Sequence, residues 1–152
     1  MAGITSALCT SFKVELLEGD HDFNNGADAF KVALFKANAS ITGTYSAATT
    51  NYSDMTGNSD ELPATGGYST TGFALTNVNP TSTSTTAFTS FSANASWTSA
   101  TFTTRGCMIY NTSDSNSAVA VINFGADYSV SGGTFEIQWP TADSSNAIIR
   151  IA

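Results

Sequence analysis

Alternation of apolar and polar residues dominates the last third of the chain. It predicts four strands there, at residues 97–110, 118–124, 134–139 and 147–151. The three intervening segments are rich in Asn, Asp, Ser, Gly and Pro, which are the residues that tight reversals use. Because short connections join antiparallel neighbours, we expect these strands to form an antiparallel sheet.

Further strands are predicted upstream. Phe30, Val32 and Leu34 alternate with Lys31 and its neighbours, which predicts a strand over residues 29–36. Segments 68–78 and 87–91 have a similar β composition, and the Ser/Thr run between them reads as a connecting loop.

One helix is predicted at the N-terminus, within residues 1–19. Ile4, Leu8, Phe12 and Leu16 recur at every fourth position, which is the spacing of a helical stripe. Gly19 follows where a helix commonly ends in a left-handed residue. The stripe is expected either to pack on the chain's own sheet or to dock on a neighbouring subunit.

Residues 38–67 predict a long loop excursion over the surface. The segment is rich in small polar residues and has few large apolar ones. Its acidic pair, Asp60 and Glu61, is expected to be solvated.

Together these elements predict a single domain over residues 1–152. Its fold class is mainly β, an antiparallel β-sandwich or jelly roll with one N-terminal helix. Serine and threonine supply roughly a quarter of the residues and charged residues only 11%, which favours strands over exposed helices.

The charge balance restricts the partners. A formal net charge of −7 would be repelled by a phosphate backbone, so no nucleic-acid partner is expected. The apolar runs are much shorter than a membrane helix needs, so no membrane partner is expected. The N-terminus lacks the pattern of a secretory signal, which predicts synthesis and folding in a cytoplasm.

Candidate chemistry is sparse. His21 is the single histidine, and it lies between two aspartates in a segment that imitates the start of a calcium-binding loop without the required glycine and glutamate positions. Cys9 and Cys107 do not have the spacing of a metal site and are predicted to be buried free thiols, with a disulfide as the alternative. Arg105 lies among apolar residues and predicts a dedicated carboxylate or carbonyl partner. We expect no enzyme activity, no cofactor and no metal.

Three parts of the chain resemble a family of small structural proteins of tailed-phage virions. They are the opening segment 7–17, the strand 30–35 and the C-terminal third. Within that third the resemblance is carried by Trp97, Thr104 to Gly106, Ile109 to Asn111, Asn123 to Gly125, Thr134 to Pro140 and Ile148 to Ile151.

The resemblance implies a structural protein of the virion, most readily a capsid decoration or cement protein on the outer surface of the head. Its partners would be the major capsid protein and further copies of itself, as a homo-oligomeric dimer or trimer. A tail, fibre or head-tail connector component is the alternative among structural proteins of the virion. A carbohydrate-binding module with exposed loop aromatics and acids is the alternative from another class.

Eight side chains are predicted as interface candidates for such contacts. Four belong to the N-terminal stripe and four to the loop excursion: Ile4, Leu8, Phe12, Leu16, Tyr45, Tyr52, Met55 and Leu62.

Overall fold

The computed structural model describes residues 2–152. Along them run ten strands and two α-helices, in the order β1 (Gly3–Ile4), β2 (Ala7–Leu8), α1 (Thr10–Glu18), β3 (Phe30–Leu34), β4 (Thr44–Tyr45), α2 (Tyr52–Gly57), β5 (Phe73–Ala74), β6 (Thr81–Thr83), β7 (Thr86–Thr89), β8 (Ala95–Asn111), β9 (Ser117–Ile137) and β10 (Ile149–Ile151). A single 3-10 turn, Asn38–Ser40, precedes β4.

The main sheet has five strands in the order β2-β9-β8-β3-β5, and every neighbouring pair is antiparallel. A second sheet has the order β10-β7-β6 and is also antiparallel. The short strands β1 and β4 form a separate parallel pair. The chain is therefore mainly β with antiparallel sheets and one helix near the N-terminus, as predicted, and the arrangement is consistent with a β-sandwich.

One hydrophobic core joins these parts. Phe30, Val32 and Leu34 of β3 are buried within it. Phe91, which follows β7, brings the second sheet to this core, because its ring centroid lies 6.2 Å from that of Phe30. Ile149 of β10 belongs to the same cluster.

The N-terminal helix is shorter than predicted. Residues 3–8 pair as β1 and β2, and α1 begins only at Thr10. Ile4 and Leu8 therefore do not share a helical face with Phe12, and the prediction of one continuous stripe is wrong. A spacing of four residues alone could not show that Ile4 and Leu8 pair with other strands instead of joining the helix. Gly19 ends α1 in the left-handed region at φ 89°, as predicted.

The C-terminal third has fewer reversals than predicted. Residues 125–133 were expected to turn the chain, but β9 runs through them and stays paired with β8. The surplus residues are absorbed by a register shift, since Thr104 pairs with Tyr128 and Gly106 pairs with Asn123. Residues 81–83 were expected to be loop and instead form β6, which makes a hairpin with β7.

Candidate functional site

Asp60 is a fully buried carboxylate at the base of the segment predicted as a surface loop. Its Oδ1 accepts the backbone N–H of Thr42 at 3.0 Å, and its Oδ2 accepts that of Gly43 at 2.7 Å. The Tyr45 hydroxyl donates to Oδ2 at 2.7 Å. Burial by itself would raise the pKa of Asp60, but the hydrogen bonds from Gly43, Tyr45 and Thr42 outweigh it and hold that pKa below its usual value.

Glu61 accepts hydrogen bonds from a second set of donors. Its Oε2 accepts the Tyr52 hydroxyl at 2.5 Å, and its Oε1 accepts the Tyr68 hydroxyl at 2.8 Å and the Thr71 backbone N–H at 2.7 Å. The Tyr52 ring stacks on Tyr110 of β8 with centroids 4.4 Å apart. Burial, together with the nearby Glu61 charge, raises the pKa of both Tyr52 and Tyr68.

These two acids fix segment 38–67 in different ways. Asp60 binds residues 42–45 within the same segment, whereas Glu61 joins Tyr52 of the segment to Tyr68 and Thr71, which lie beyond it. The prediction that Asp60 and Glu61 are solvated is wrong. Composition had suggested a polar loop, whereas the acids of this segment serve as acceptors for backbone and tyrosine donors. The excursion is consequently a fixed part of the fold.

His21 is also buried rather than solvated, with 6% of its surface exposed. The Oδ1 of Asn111 accepts hydrogen bonds from the backbone N–H groups of Ser113 and Asp114. Its amide nitrogen, Nδ2, therefore faces His21 Nδ1 at 2.9 Å. That ring nitrogen must then accept, and the neutral ring carries its proton on Nε2, which lies 2.9 Å from Glu15 Oε2. His21 thus links α1 to the turn between β8 and β9.

Glu15, His21 and Asp114 form the one group in residues 2–152 whose potential metal-ligand atoms lie within 4.8 Å of one another. A metal would need a lone pair on His21 Nε2. Because Asn111 donates to Nδ1, the neutral ring carries its proton on Nε2, and that lone pair is not available. Freeing that nitrogen would require Asn111 to give up its two bonds in the turn. The arrangement therefore fits a hydrogen-bond chain better than a metal site.

Cys9 and Cys107 are both buried and free, so the prediction of free thiols is confirmed. Burial raises the pKa of Cys9, the largest effect, with smaller contributions from Glu15 and Asp54, to about 12. Burial also raises the pKa of Cys107. Both side chains are therefore inert packing groups at neutral pH.

Arg105 has the partners that its apolar surroundings predicted. Its Nε donates to Asn123 Oδ1 at 3.0 Å, and its Nη1 lies 3.8 Å from Asp127 Oδ1. Asp127 also accepts the backbone N–H of Asn38 at 3.0 Å. These contacts fix the surplus residues of β9 where the register with β8 shifts.

A groove of about 420 Å³ lies on the second half of β9. Most of the side chains around it are apolar or aromatic: Cys107, Ile122, Phe124, Tyr128, Phe135, Ile137, Trp139, Pro140 and Ile148. The indole Nε1 of Trp139 is buried and has no acceptor within residues 2–152. The volume is within the range of sites that hold small ligands or single large side chains.

The edge of β9 beside this groove is open. Its first residues are paired on that side, since Leu8 pairs with Ala120 and Ala7 with Val121, and Ser6 Oγ binds Asn123. Over residues 128–137, no backbone N–H or C=O on this side of β9 has a backbone partner in the described part of the chain. Alternate N–H and C=O groups there are therefore free to pair with another strand.

The predicted interface residues do not lie on this surface. Ile4, Phe12, Tyr45, Met55 and Leu62 are at most 7% exposed in the chain's own core. The remaining three candidates, which pack against that core, are Leu8, Leu16 and Tyr52. The five buried side chains are enclosed in the domain and do not present a surface to a partner. For Leu8, Leu16 and Tyr52, which are partly exposed, the interface role stays a prediction.

The exposed apolar residues were missed. Leu17 is 89% exposed and Val14 51% exposed on α1, and Tyr128 is 52% exposed beside the groove. A carbohydrate-binding module was expected to expose aromatics and acids on this loop, but two of its residues of these types, Tyr45 and Asp60, are buried. The groove unites residues far apart in sequence, and no local pattern could have shown it.

Comparison of the chain with protein-family models, with curated proteins and with solved structures finds no match. Neither helix in residues 2–152 has the length and apolar character needed to cross a bilayer.

Proposed function

We propose that this chain is a structural component of a tailed-phage virion. Within that class, the proposed role is a capsid decoration or cement protein that binds the outer surface of the major capsid shell. The class is supported by the resemblance of segments 7–17, 30–35 and the C-terminal third to small virion proteins.

The observation that supports a binding role most strongly is the surface along the second half of β9. It combines an open sheet edge with an apolar groove on a chain whose polar surface is largely Ser and Thr. Unprotected sheet edges and apolar patches mark places where proteins associate. A shell repeats the same contact many times, so one modest surface per copy is sufficient.

The fixed loop segment supports the same role. The bonds to Asp60 and Glu61 hold residues 38–67 in one arrangement before any partner arrives. Preorganised surfaces lose less conformational entropy on binding. A net charge of −7 also keeps the free protein soluble before it assembles.

Quantitative mass spectrometry of purified virions tests the role. A decoration protein would be present at on the order of hundreds of copies per particle, in a fixed ratio to the major capsid protein. About a dozen copies or fewer would instead indicate a tail, fibre or connector component. Absence from the virion would contradict every form of the proposal.

A carbohydrate-binding module is the second candidate, because the groove contains aromatic side chains. Tyr128 and Trp139 line it together with two phenylalanines, and aromatic rings commonly form the floor of such sites. A glycan array with the purified chain distinguishes the two roles. Selective binding to one glycan class, blocked by Tyr128→Ala, would favour this candidate.

A further inference from the structure

We propose that the open edge of β9, over residues 128–137, accepts an extended segment of a partner protein as an additional strand, with an apolar side chain in the groove and a basic residue beside Glu136. The proposal rests on the proposed function only in taking the partner to be another virion protein. The edge and the groove themselves do not depend on it.

The first step is the geometry of β9. Its residues pair with β8 on one side from Phe135, opposite Trp97, to Ile137, opposite Ala95. The other side has no strand. A peptide that pairs there would gain backbone hydrogen bonds irrespective of its sequence, which is how strand addition provides affinity.

The second step is the groove. Phe135 and Ile137 lie on one face of β9, since residues two apart point the same way, and both line the groove. A strand added next to them would point every second side chain toward the same face. A groove of about 420 Å³ can receive a large apolar side chain there.

The third step is charge. Glu136 lies between Phe135 and Ile137, is exposed, and is also one of the residues that line the groove. Its Oε1 accepts amide N–H groups from Asn94 and Gln138 at 3.1 and 3.0 Å. Neither donor carries a charge, and no basic residue of 2–152 forms an ion pair with Glu136. On an added strand, the residue next to the apolar one would lie beside this carboxylate, and a basic residue there would complement it.

Together these steps define a recognition pattern in which apolar and basic residues alternate along an extended segment. The chain's own net charge of −7 favours such a partner over an acidic one. A second copy of the chain is the competing occupant, and it would bring a like net charge.

The test uses the full chain, labelled with 15N, and a synthetic peptide of about ten residues that alternates Phe or Val with Lys. A ten-residue strand spans about 33 Å, which matches the length of the open edge over residues 128–137. We expect the peptide to shift the backbone amide resonances of residues 128–137 in a saturable manner. We expect a peptide with the same side chains but N-methylated in its centre not to bind, because it cannot donate to the edge.

Protein variants then separate charge from pairing. Glu136→Lys should weaken binding of the Lys-containing peptide by about five-fold or more, since it converts a cross-strand attraction into a repulsion. Glu18→Lys makes the same charge change at an exposed position at the end of α1, away from the groove, and should leave binding nearly unchanged. Glu136 is exposed, and unchanged thermal unfolding of both variants would show that they fold.

Three outcomes would overturn the proposal. They are no binding at about millimolar peptide, equal binding of the N-methylated peptide, and self-association of the chain through the same amides that the peptide does not compete with. The last would assign the edge to a second copy. Because the test needs no virions, peptide binding by a chain that is absent from virions would uphold the strand site while the proposed function fails.

Discussion

A carboxylate that is removed from water is tolerated only where donors replace the lost solvation, and Asp60 meets that condition. The N–H groups of Thr42 and Gly43 and the hydroxyl of Tyr45 converge on it. Losing one partner of a buried charged network leaves the others unsatisfied. At the scale of single residues, this carboxylate is the group on which the arrangement of residues 42–45 depends.

Asp60→Asn should lower the free energy of unfolding by about 2–4 kcal/mol, because its amide NH2 would face donors instead of accepting from them. Asp20→Asn is the matched control, since Asp20 is exposed, and it should change the free energy by less than about 0.5 kcal/mol. Chemical denaturation at pH 7 measures both. Equal effects of the two substitutions would contradict the assigned role of Asp60.

The same residue predicts a pH dependence. The pKa of Asp60 is lowered on folding, because its hydrogen bonds outweigh the opposing effect of burial. Between the folded and unfolded pKa values, the unfolded chain binds more protons. The stability that Asp60 contributes is therefore present above about pH 4, the ordinary pKa range of an aspartate, and is lost as the pH falls through its folded pKa.

We therefore expect the native chain to lose more stability than Asp60→Asn between pH 6 and pH 3, the change being followed by urea denaturation at each pH. Parallel losses in the two proteins would mean that other carboxylates account for the acid sensitivity.

At the scale of elements, the pairing of β5 with β3 depends on one glycine, which directly precedes β5. Gly72 has φ +75°, and a Cβ there would lie 1.9 Å from the carbonyl oxygen of Val32. Gly132 in β9 has φ +66° but no atom within 4 Å of such a Cβ. An Ala substitution would strain the backbone at both glycines but would cause a steric overlap only at Gly72. Comparing the two substitutions therefore separates the two effects.

Gly132→Ala should cost about 1–2 kcal/mol of stability from its left-handed backbone alone. Gly72→Ala should cost at least about 2 kcal/mol more, because β5 must also move away from β3. Thermal unfolding of the two variants measures the difference. A loss at Gly72 no larger than that at Gly132 would show that β5 is displaced without cost.

The elements also show how far the sequence could predict the fold. Strand β3 was predicted correctly because its apolar residues alternate without interruption. The turn predicted at 125–133 was wrong because Gly125 and Gly132 mark an irregularity inside a strand, and the same residue types serve turns and bulges. The helical stripe was wrong because spacing does not show whether Ile4 and Leu8 have a strand partner.

At the scale of the whole molecule, the fold class followed from composition and alternation, but the surface did not. The groove joins Cys107 of β8, Phe124 of β9 and Ile148 near β10, which meet only through the long β8–β9 pairing. The acids at 60 and 61 lie in a segment of polar composition, yet both accept hydrogen bonds from backbone and tyrosine donors. Local patterns report which residues are apolar, whereas the partners of polar residues depend on tertiary contacts.

The proposed role is that this chain binds the outer surface of a phage capsid shell. The most direct measurement mixes the purified chain with particles from a phage that lacks its gene and counts bound copies by sedimentation and gel densitometry. We expect saturable binding at a fixed ratio to the major capsid protein and a raised temperature of particle disruption. Failure to bind intact shells while the chain binds isolated tails would contradict it.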